Sequence, residues 1–244
     1  MNELLKAVQR SALHSIIALA VGAGLTAQAG IYSYGGGAYA IPDGSLAGVS
    51  SQITISGASS SFSDISVAIN VSGGYNGDLY AYLSYDGKLV PLLDRIGLSS
   101  GNPAGAAGGG VNVTLSDTGA NGNIHSAGGS FLSGAWKADG QTTSPTAAPG
   151  SFSAGGGSIT LDGTFAGENP NGTWTLFFAD VSAGGGNSTL NGWSLDITAV
   201  PEPVNVALGI FAGVFLVVMV ARSRPLRNQV QRWRVAVVRW INAV

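Results

Sequence analysis

The middle of the chain alternates apolar and polar residues in short stretches, and Gly, Asn, Asp and Ser separate these stretches. Such alternation is typical of half-buried strands, and DG, NG and GGG tracts are turn signals. No stretch between residues 50 and 200 keeps a helical period. The pattern predicts these strands: SQITIS, DISVAINVS, DLYAYLS, KLVPLLD, VNVTLS, GSITLD, TWTLFFAD and GWSLDIT.

Short strands separated by such turns predict an all-β fold, a β-sandwich of jelly-roll type. Alternate residues of a strand face the same side of a sheet, so the apolar positions define a core. The stretch from Gly97 to about Gly157 is rich in Gly, Ser and Ala, and we expect only two or three strands in it. The predicted core residues are Val67, Ile69, Val71, Leu79, Ala81, Leu83, Trp174, Leu176, Phe178, Trp193, Leu195 and Ile197.

The N-terminal residues have the order of a secretory signal peptide. Lys6 and Arg10 precede a largely apolar stretch, and Ala27-Gln28-Ala29 is an A-x-A cleavage site. We therefore predict a signal peptide over residues 1–29 that is cut after Ala29. The alternative is an N-terminal helix that is not removed.

A second apolar run, residues 204–221, follows Val200-Pro201-Glu202-Pro203. At 1.5 Å per residue, 18 residues are just long enough to span the core of a bilayer. Arg222 and Arg224 follow the run, and the positive-inside rule then places the C-terminus in the cytoplasm. This pattern predicts one C-terminal transmembrane helix within residues 200–224.

Residues 225–244 continue beyond the arginines. Trp233 and Trp240 share one helical face, and Arg232 and Arg239 lie opposite. The segment is predicted to be a basic amphipathic helix on the cytoplasmic surface of the membrane, with Trp at headgroup depth. A frayed tail is the alternative.

Composition and charge narrow the possible functions of the 244-residue chain. It has no Cys, which excludes a disulfide scaffold and a thiolate metal site. Between Gly30 and Val200 it carries three basic and eleven acidic residues, a net charge of −8, whereas six Arg follow Ala221. An acidic body argues against nucleic acid as its partner. The acids could also serve only to keep a Gly/Ser-rich surface soluble.

The signal peptide, exported body, Pro-Glu-Pro motif, short membrane helix and Arg cluster together resemble the PEP-CTERM sorting proteins of Gram-negative bacteria. The matching sorting residues are Pro201, Glu202, Pro203, Arg222 and Arg224. The resemblance implies export through the inner membrane and cleavage near the motif by an exosortase, a membrane processing enzyme. It further implies a place on the cell surface or in an exopolysaccharide-containing biofilm matrix. The tail beyond Arg224 departs from the family, so a permanent membrane anchor is the alternative.

Residues 65–95 and 165–197 resemble the P domain, also called the P/Homo B domain. This β-sandwich follows the catalytic domain in kexin- and furin-like subtilisin proteases, and it also occurs in secreted bacterial proteins without a protease. The resemblance implies a P-domain-like sandwich over residues 49–199, with a Gly/Tyr-rich segment over 30–48 before it. The chain departs from the family in the Gly-rich GGYN before Gly77 and in the long stretch from Gly97. The resemblance rests on Gly77-Asp78-Leu79, Ser84 to Gly87, Leu92-Leu93, Arg95, Gly172 to Leu176, Asp180 and Gly192 to Leu195.

The P-domain resemblance raises the question of protease activity. A subtilisin-type triad needs a separate α/β domain of a few hundred residues, for which the chain has no room. His125, in GNIHSAGG, is the only histidine outside the signal peptide, and no nucleophile motif surrounds it. We interpret it as a loop histidine and expect no catalytic residues and no enzymatic activity.

The acidic residues could bind calcium, which takes oxygen ligands. Asp78 and Asp180 match positions of the P-domain motifs at strand ends that pack near each other in that fold, and Asp86 lies in a turn close to Asp78 along the chain. We therefore predict that calcium, if any cofactor, binds at Asp78 and Asp180 with Asp86 nearby. The alternative is that these side chains cap turns.

Aromatic residues could bind sugar if they are exposed over polar loops. The alternative is that they pack on the core or at sheet edges. The candidates are Tyr32, Tyr34, Tyr39, Tyr75, Tyr82 and Trp136.

These inferences together predict an exported, exosortase-sorted protein of the cell envelope or extracellular matrix, with a non-catalytic and structural or adhesive β-sandwich. The alternative is an accessory module, protease-associated or glycan-binding, that acts in trans.

Overall fold

The structure is a computed structural model that describes residues 28–33, 38–200 and 203–222. It divides into two compact units: one is Ala27–Val200, and the other contains the helix α2 (Pro203–Arg222). Most of the predicted signal peptide, with Ala27, lies outside the described residues, as do Pro201, Glu202, Arg224, and the tail 225–244. The predictions made for those residues stay predictions. Ala29 is described only as part of a strand backbone.

The unit Ala27–Val200 has ten strands among its described residues, and they form two sheets. One sheet has the order β1-β10-β4-β7-β8, with β2 also paired to β10; the other has the order β3-β9-β5-β6. Strands β7 and β8 are parallel, and the other pairs are antiparallel. This confirms the all-β prediction. The strands are β1 (Gln28–Ser33), β2 (Tyr39–Ile41), β3 (Ser45–Ile55), β4 (Phe62–Gly73), β5 (Leu79–Tyr85), β6 (Lys88–Asp94), β7 (Gly110–Leu115), β8 (Leu132–Trp136), β9 (Gly172–Asp180) and β10 (Ser188–Ala199).

The core contains buried residues of both sheets in one hydrophobic cluster. All twelve predicted core residues are buried, as period-two alternation requires. The two indoles in the core have hydrogen-bond acceptors: Trp174 Nε1 donates to the Pro170 carbonyl at 2.9 Å, and Trp193 Nε1 donates to the Ser51 hydroxyl at 2.8 Å. Ser51 belongs to β3 and Trp193 to β10, so the second bond joins the two sheets.

The predicted strand GSITLD is wrong. Its end forms a short helix, α1 (Leu161–Phe165), whose first residues are capped by two side chains. Thr160 accepts from Gly163 N at 3.1 Å, while Asp117 accepts from Leu161 N at 2.9 Å and from Asp162 N at 3.0 Å. These bonds satisfy backbone donors that a helix leaves free at its start. Asp117 is distant in sequence, so local alternation could not reveal this helix.

Strands β5 and β6 form a hairpin with a two-residue turn. Tyr85 pairs with Lys88, and Asp86 and Gly87 between them have φ of +48° and +74°. Positive φ at both positions is typical of a type I′ turn, for which Asp-Gly is a favoured sequence. The turn therefore holds Asp86 at the tip of a short, tightly connected hairpin.

Helix α2 is 20 residues long, and its side chains are described for residues 207–219. No helix within the described part of the chain is long and apolar enough to cross a membrane. The transmembrane prediction for residues 200–224 extends beyond the described residues on both sides and stays a prediction.

Candidate functional site

His125 lies in a 3-10 turn, Ile124–Ser126, and its side chain is only 1% exposed. The ring Nδ1 lies 2.8 Å from Asp139 Oδ2, and Nε2 lies 3.0 Å from the Leu98 carbonyl oxygen. Both partners are acceptors, so both ring nitrogens donate and the imidazole is protonated. Burial alone would lower the pKa of His125, but the hydrogen bond and charge of Asp139 outweigh it and raise that pKa.

This geometry does not suit a general base, which must reach a proton on the substrate through a free ring nitrogen. Both nitrogens of His125 are occupied, and Phe152 stacks on the ring with 6.0 Å between centroids. His125 is therefore a buried residue of a loop, and the protein itself occupies both of its ring nitrogens. The arrangement gives no support to a catalytic role.

A second buried carboxyl group, Asp94, lies beside this pair. The amide of Asp94 donates to Asp139 Oδ2 at 3.1 Å, and Gln141 Nε2 donates to Asp139 Oδ1 at 2.9 Å. The Asp94 side chain is fully buried, and neither of its oxygens has a hydrogen-bond partner among the described residues. Burial, and then the charge of Asp139, raise the pKa of Asp94 to about 7. No spacing in the sequence links Asp94, His125 and Asp139, so sequence analysis missed this cluster.

The structure brings together two of the three predicted calcium ligands. Asp78 immediately precedes Leu79, which pairs with Asp180, and Val181 N donates to the Asp78 carbonyl at 2.9 Å. Burial raises the pKa of both carboxyl groups. The charge of Asp43 raises both pKa values further, and the charge of Asp78 also raises the pKa of Asp180. Asp86 does not join them, because it lies in the turn at the opposite end of β5. The extended strand β5 thus separates two residues that are close along the chain.

Arg95 already supplies a positive charge to this pair. Its Nη2 lies 3.2 Å from Asp78 Oδ1, and its Nε donates to the Gly77 carbonyl at 3.0 Å. Asp180 Oδ2 accepts from the Ser188 hydroxyl at 3.3 Å, whereas its buried Oδ1 has no partner among the described residues. Those residues contain no group of three or more His, Cys, Asp or Glu that could hold a metal ion. Calcium binding stays a prediction for Asp78 and Asp180.

Three aromatic side chains cluster on the outer face of the four-stranded sheet. Tyr82 of β5 stacks on Phe177 of β9 with 4.8 Å between centroids and 17° between planes. Tyr80 contacts both rings edge-on, at 6.0 Å and 6.4 Å. All three side chains are half-buried. This outer-face cluster, Tyr80, Tyr82 and Phe177, includes one of the predicted sugar-binding residues and two that the sequence did not single out.

The other aromatic candidates are placed differently. Tyr32, Tyr39 and Trp136 are partly buried and pack against the core, and Tyr75 is also partly buried. Tyr34 lies outside the described residues. Only Tyr82 of the predicted set therefore belongs to an aromatic cluster on the outside of a sheet.

An open groove of about 340 Å³ lies next to Tyr82 at the β5–β6 turn. Its lining combines two tyrosines, three serine or threonine residues and two charged residues. Lys88 binds the Glu168 carboxylate and donates to the Thr164 carbonyl at 3.2 Å, so its charge is already paired. The groove is lined by Tyr82, Ser84, Tyr85, Asp86, Gly87, Lys88, Leu89, Thr173 and Thr175.

Comparisons with known proteins give little further information. No protein-family model and no curated protein matches the chain. A solved serine protease of Aeromonas sobria in complex with its chaperone is similar at 16% identity and a TM-score of 0.38, over 72% of this chain and 27% of that chain. The serine protease of Aeromonas sobria solved alone is similar at 15% identity and the same TM-score, over 70% and 26%. The chain thus spans about a quarter of the length of those proteins, and a TM-score this low carries no argument about fold or activity.

Proposed function

We propose that this chain is an exported, non-catalytic adhesive or structural protein of the cell envelope or extracellular matrix. The observation that carries the proposal is the outer-face cluster, because aromatic side chains on the outside of a sheet favour contact with another molecule. The proposal includes a jelly-roll sandwich of P-domain type over residues 49–199.

The absence of enzymatic activity is part of the proposal. It is supported by His125, whose two ring nitrogens are both bound inside the protein. The purified full chain should show no peptidase activity on unfolded protein substrates. Activity that disappears in His125→Ala, in a variant that remains folded, would contradict this.

Export and sorting are supported by the sequence of the two ends. We propose passage through the inner membrane of a Gram-negative bacterium and recognition of the motif Pro201-Glu202-Pro203 by an exosortase. Residues 204–221 would hold the protein transiently in the membrane until cleavage, with exopolysaccharide as a partner after release.

Mass spectrometry of the mature protein from fractionated native cells tests this. We expect a C-terminus near Pro203 and a location in the surface or matrix fraction. An intact Val244 in the membrane fraction would make the tail a permanent anchor. A chain with its N-terminal residues intact in the cytosol would overturn the proposal.

A glycan-binding accessory module acting in trans is the second candidate. It is favoured by the groove beside Tyr82, where hydroxyl groups and a carboxylate lie next to an aromatic ring. The protease-associated variant of this candidate has support only from the sequence resemblance to P domains.

A further inference from the structure

We propose that the groove beside Tyr82 binds hexopyranose units of a neutral polysaccharide. The inference deepens the proposed adhesive function and rests on it, since it names the class of ligand that the outer face of the sheet would hold. Its three supports are an ordered aromatic ring, a row of hydroxyl groups and the balance of charge.

Tyr82 supplies a ring that is already held in place. Phe177 stacks on one face of it and Tyr80 meets it edge-on, so little rotamer entropy remains to be lost when a ligand binds. Phe177 is itself supported by close approach of the backbone at Gly48, where a Cβ would lie 2.6 Å from Phe177 Cζ. Tyr82 also lines the groove. A pyranose ring presents C–H groups, which the negative face of an aromatic ring attracts.

The groove also offers partners for sugar hydroxyl groups. Ser84 of β5 and Thr175 of β9 are register partners, and Thr173 lies two residues from Thr175 on the same face. Each of these hydroxyl groups makes one hydrogen bond within the protein and keeps acceptor capacity for a sugar hydroxyl group. The tight turn holds Asp86 at the end of the groove, where its carboxylate can accept hydrogen bonds from hydroxyl groups. These groups lie on strands and a tight turn, which fixes their spacing.

Charge selects a neutral ligand rather than an anionic one. Lys88 is the basic residue of the groove, and Glu168 pairs with it. Asp86 contributes a negative charge, and the residues from Gly30 to Val200 carry a net charge of −8. An anionic polysaccharide would meet repulsion with no free cation in the groove to offset it. The groove is open, so a polymer can pass through it with only one or a few units bound.

Affinity electrophoresis of the full chain in mild detergent tests the inference. The gels contain hydroxyethyl cellulose, dextran or polygalacturonate, the last as the anionic probe. We expect retardation by at least one neutral polymer and none by polygalacturonate. Tyr82→Ala should weaken binding by about tenfold or more, which corresponds to about 1.4 kcal/mol. Tyr82→Phe should retain most of the affinity, because it keeps the ring.

Phe131→Ala is the matched control, since Phe131 is 57% exposed, is also aromatic and does not line the groove. It should bind like the unchanged chain. Asp86→Asn is a second variant that keeps the turn and should weaken binding severalfold. This variant keeps the inference testable if Tyr82→Ala fails to fold.

Three results would overturn the inference. They are no retardation by any neutral polymer, equal effects of Tyr82→Ala and Phe131→Ala, and self-association of the chain that Tyr82→Ala abolishes. The last would mean that a second copy occupies this face. None of them bears on the mass spectrometry of native cells, so the proposed export and matrix location can stand when the glycan inference fails.

Discussion

Asp139 holds the buried imidazole of His125 through a 2.8 Å contact between Oδ2 and Nδ1. Since the Leu98 carbonyl accepts at the other ring nitrogen, folding favours the protonated form of His125. The pKa of His125 is therefore higher in the folded state than in the unfolded state, and the pair links stability to pH.

The first prediction is that the domain loses stability as pH rises from 6 to 9. A group whose pKa is raised on folding stabilises the folded state fully at pH values below its unfolded pKa, which is near 6.5 for His. This stabilisation is lost as pH rises through the pKa of the folded state. Urea unfolding of the full chain across this range measures the trend. His125→Gln should be less stable at pH 6 and should show a flatter profile. Stability that increases with pH in the unchanged chain would contradict the assignment of a protonated His125.

The second prediction concerns Asp94→Asn. The Asp94 carboxyl has a pKa of about 7 when folded and an ordinary value of 3.8, so the folded state binds a proton between these values. Its contribution to the free energy of unfolding therefore falls as pH rises from about 4 to 7, and above pH 7 a charged carboxylate is buried without a hydrogen-bond partner. Replacing it by a neutral amide should raise the free energy of unfolding at pH 8 by on the order of 3 kcal/mol and change it little near pH 4.

Unfolding of this variant at both pH values measures the effect. Asp86→Asn, which removes an exposed carboxylate, is the control and should change neither value by more than about 0.5 kcal/mol. Equal effects of Asp94→Asn at pH 4 and pH 8 would show that the Asp94 carboxyl of the folded protein does not titrate between these pH values.

The third prediction concerns the cap of α1. Asp117→Ala removes the acceptor for two backbone N–H groups, those of Leu161 and Asp162. We expect a loss of about 1–2 kcal/mol in the free energy of unfolding, as for other N-terminal caps. Asp117→Asn keeps one oxygen acceptor and should lose less. If alanine and asparagine have the same effect, the cap does not contribute through these bonds.

The fourth prediction concerns Arg95 and calcium. Arg95→Met removes the guanidinium from Asp78 and leaves Asp180 nearby. The free energy of unfolding should therefore fall by about 2–3 kcal/mol. This is less than for a fully buried ion pair, because the Arg95–Asp78 pair is slightly exposed. Two adjacent carboxylates without a cation then form a better calcium site. Millimolar calcium should therefore raise the Tm of Arg95→Met more than that of the unchanged chain.

The control for this experiment is Arg95→Met combined with Asp180→Asn, in which calcium should no longer raise the Tm. Equal calcium effects in all three proteins would rule out a site at Asp78 and Asp180.

The alternation of apolar and polar residues is sufficient to predict most of the strands. In β5, Leu79, Ala81 and Leu83 are buried, because each strand has one face that water cannot reach. The Asp86-Gly87 pair likewise determined a tight hairpin, since both residues accept positive φ. These features depend on neighbours along the chain, so they can be read from local patterns.

Which polar and aromatic side chains contact each other depends on the tertiary structure. Asp117 caps α1, where the sequence predicted a strand. His125 contacts Asp139 and lies beside Asp94. Phe177 stacks on Tyr82 on the outer face. Asp86, by contrast, was separated from Asp78 by the length of β5. Side-chain contacts between distant strands depend on strand order and register, and hydrophobic alternation within one strand contains neither.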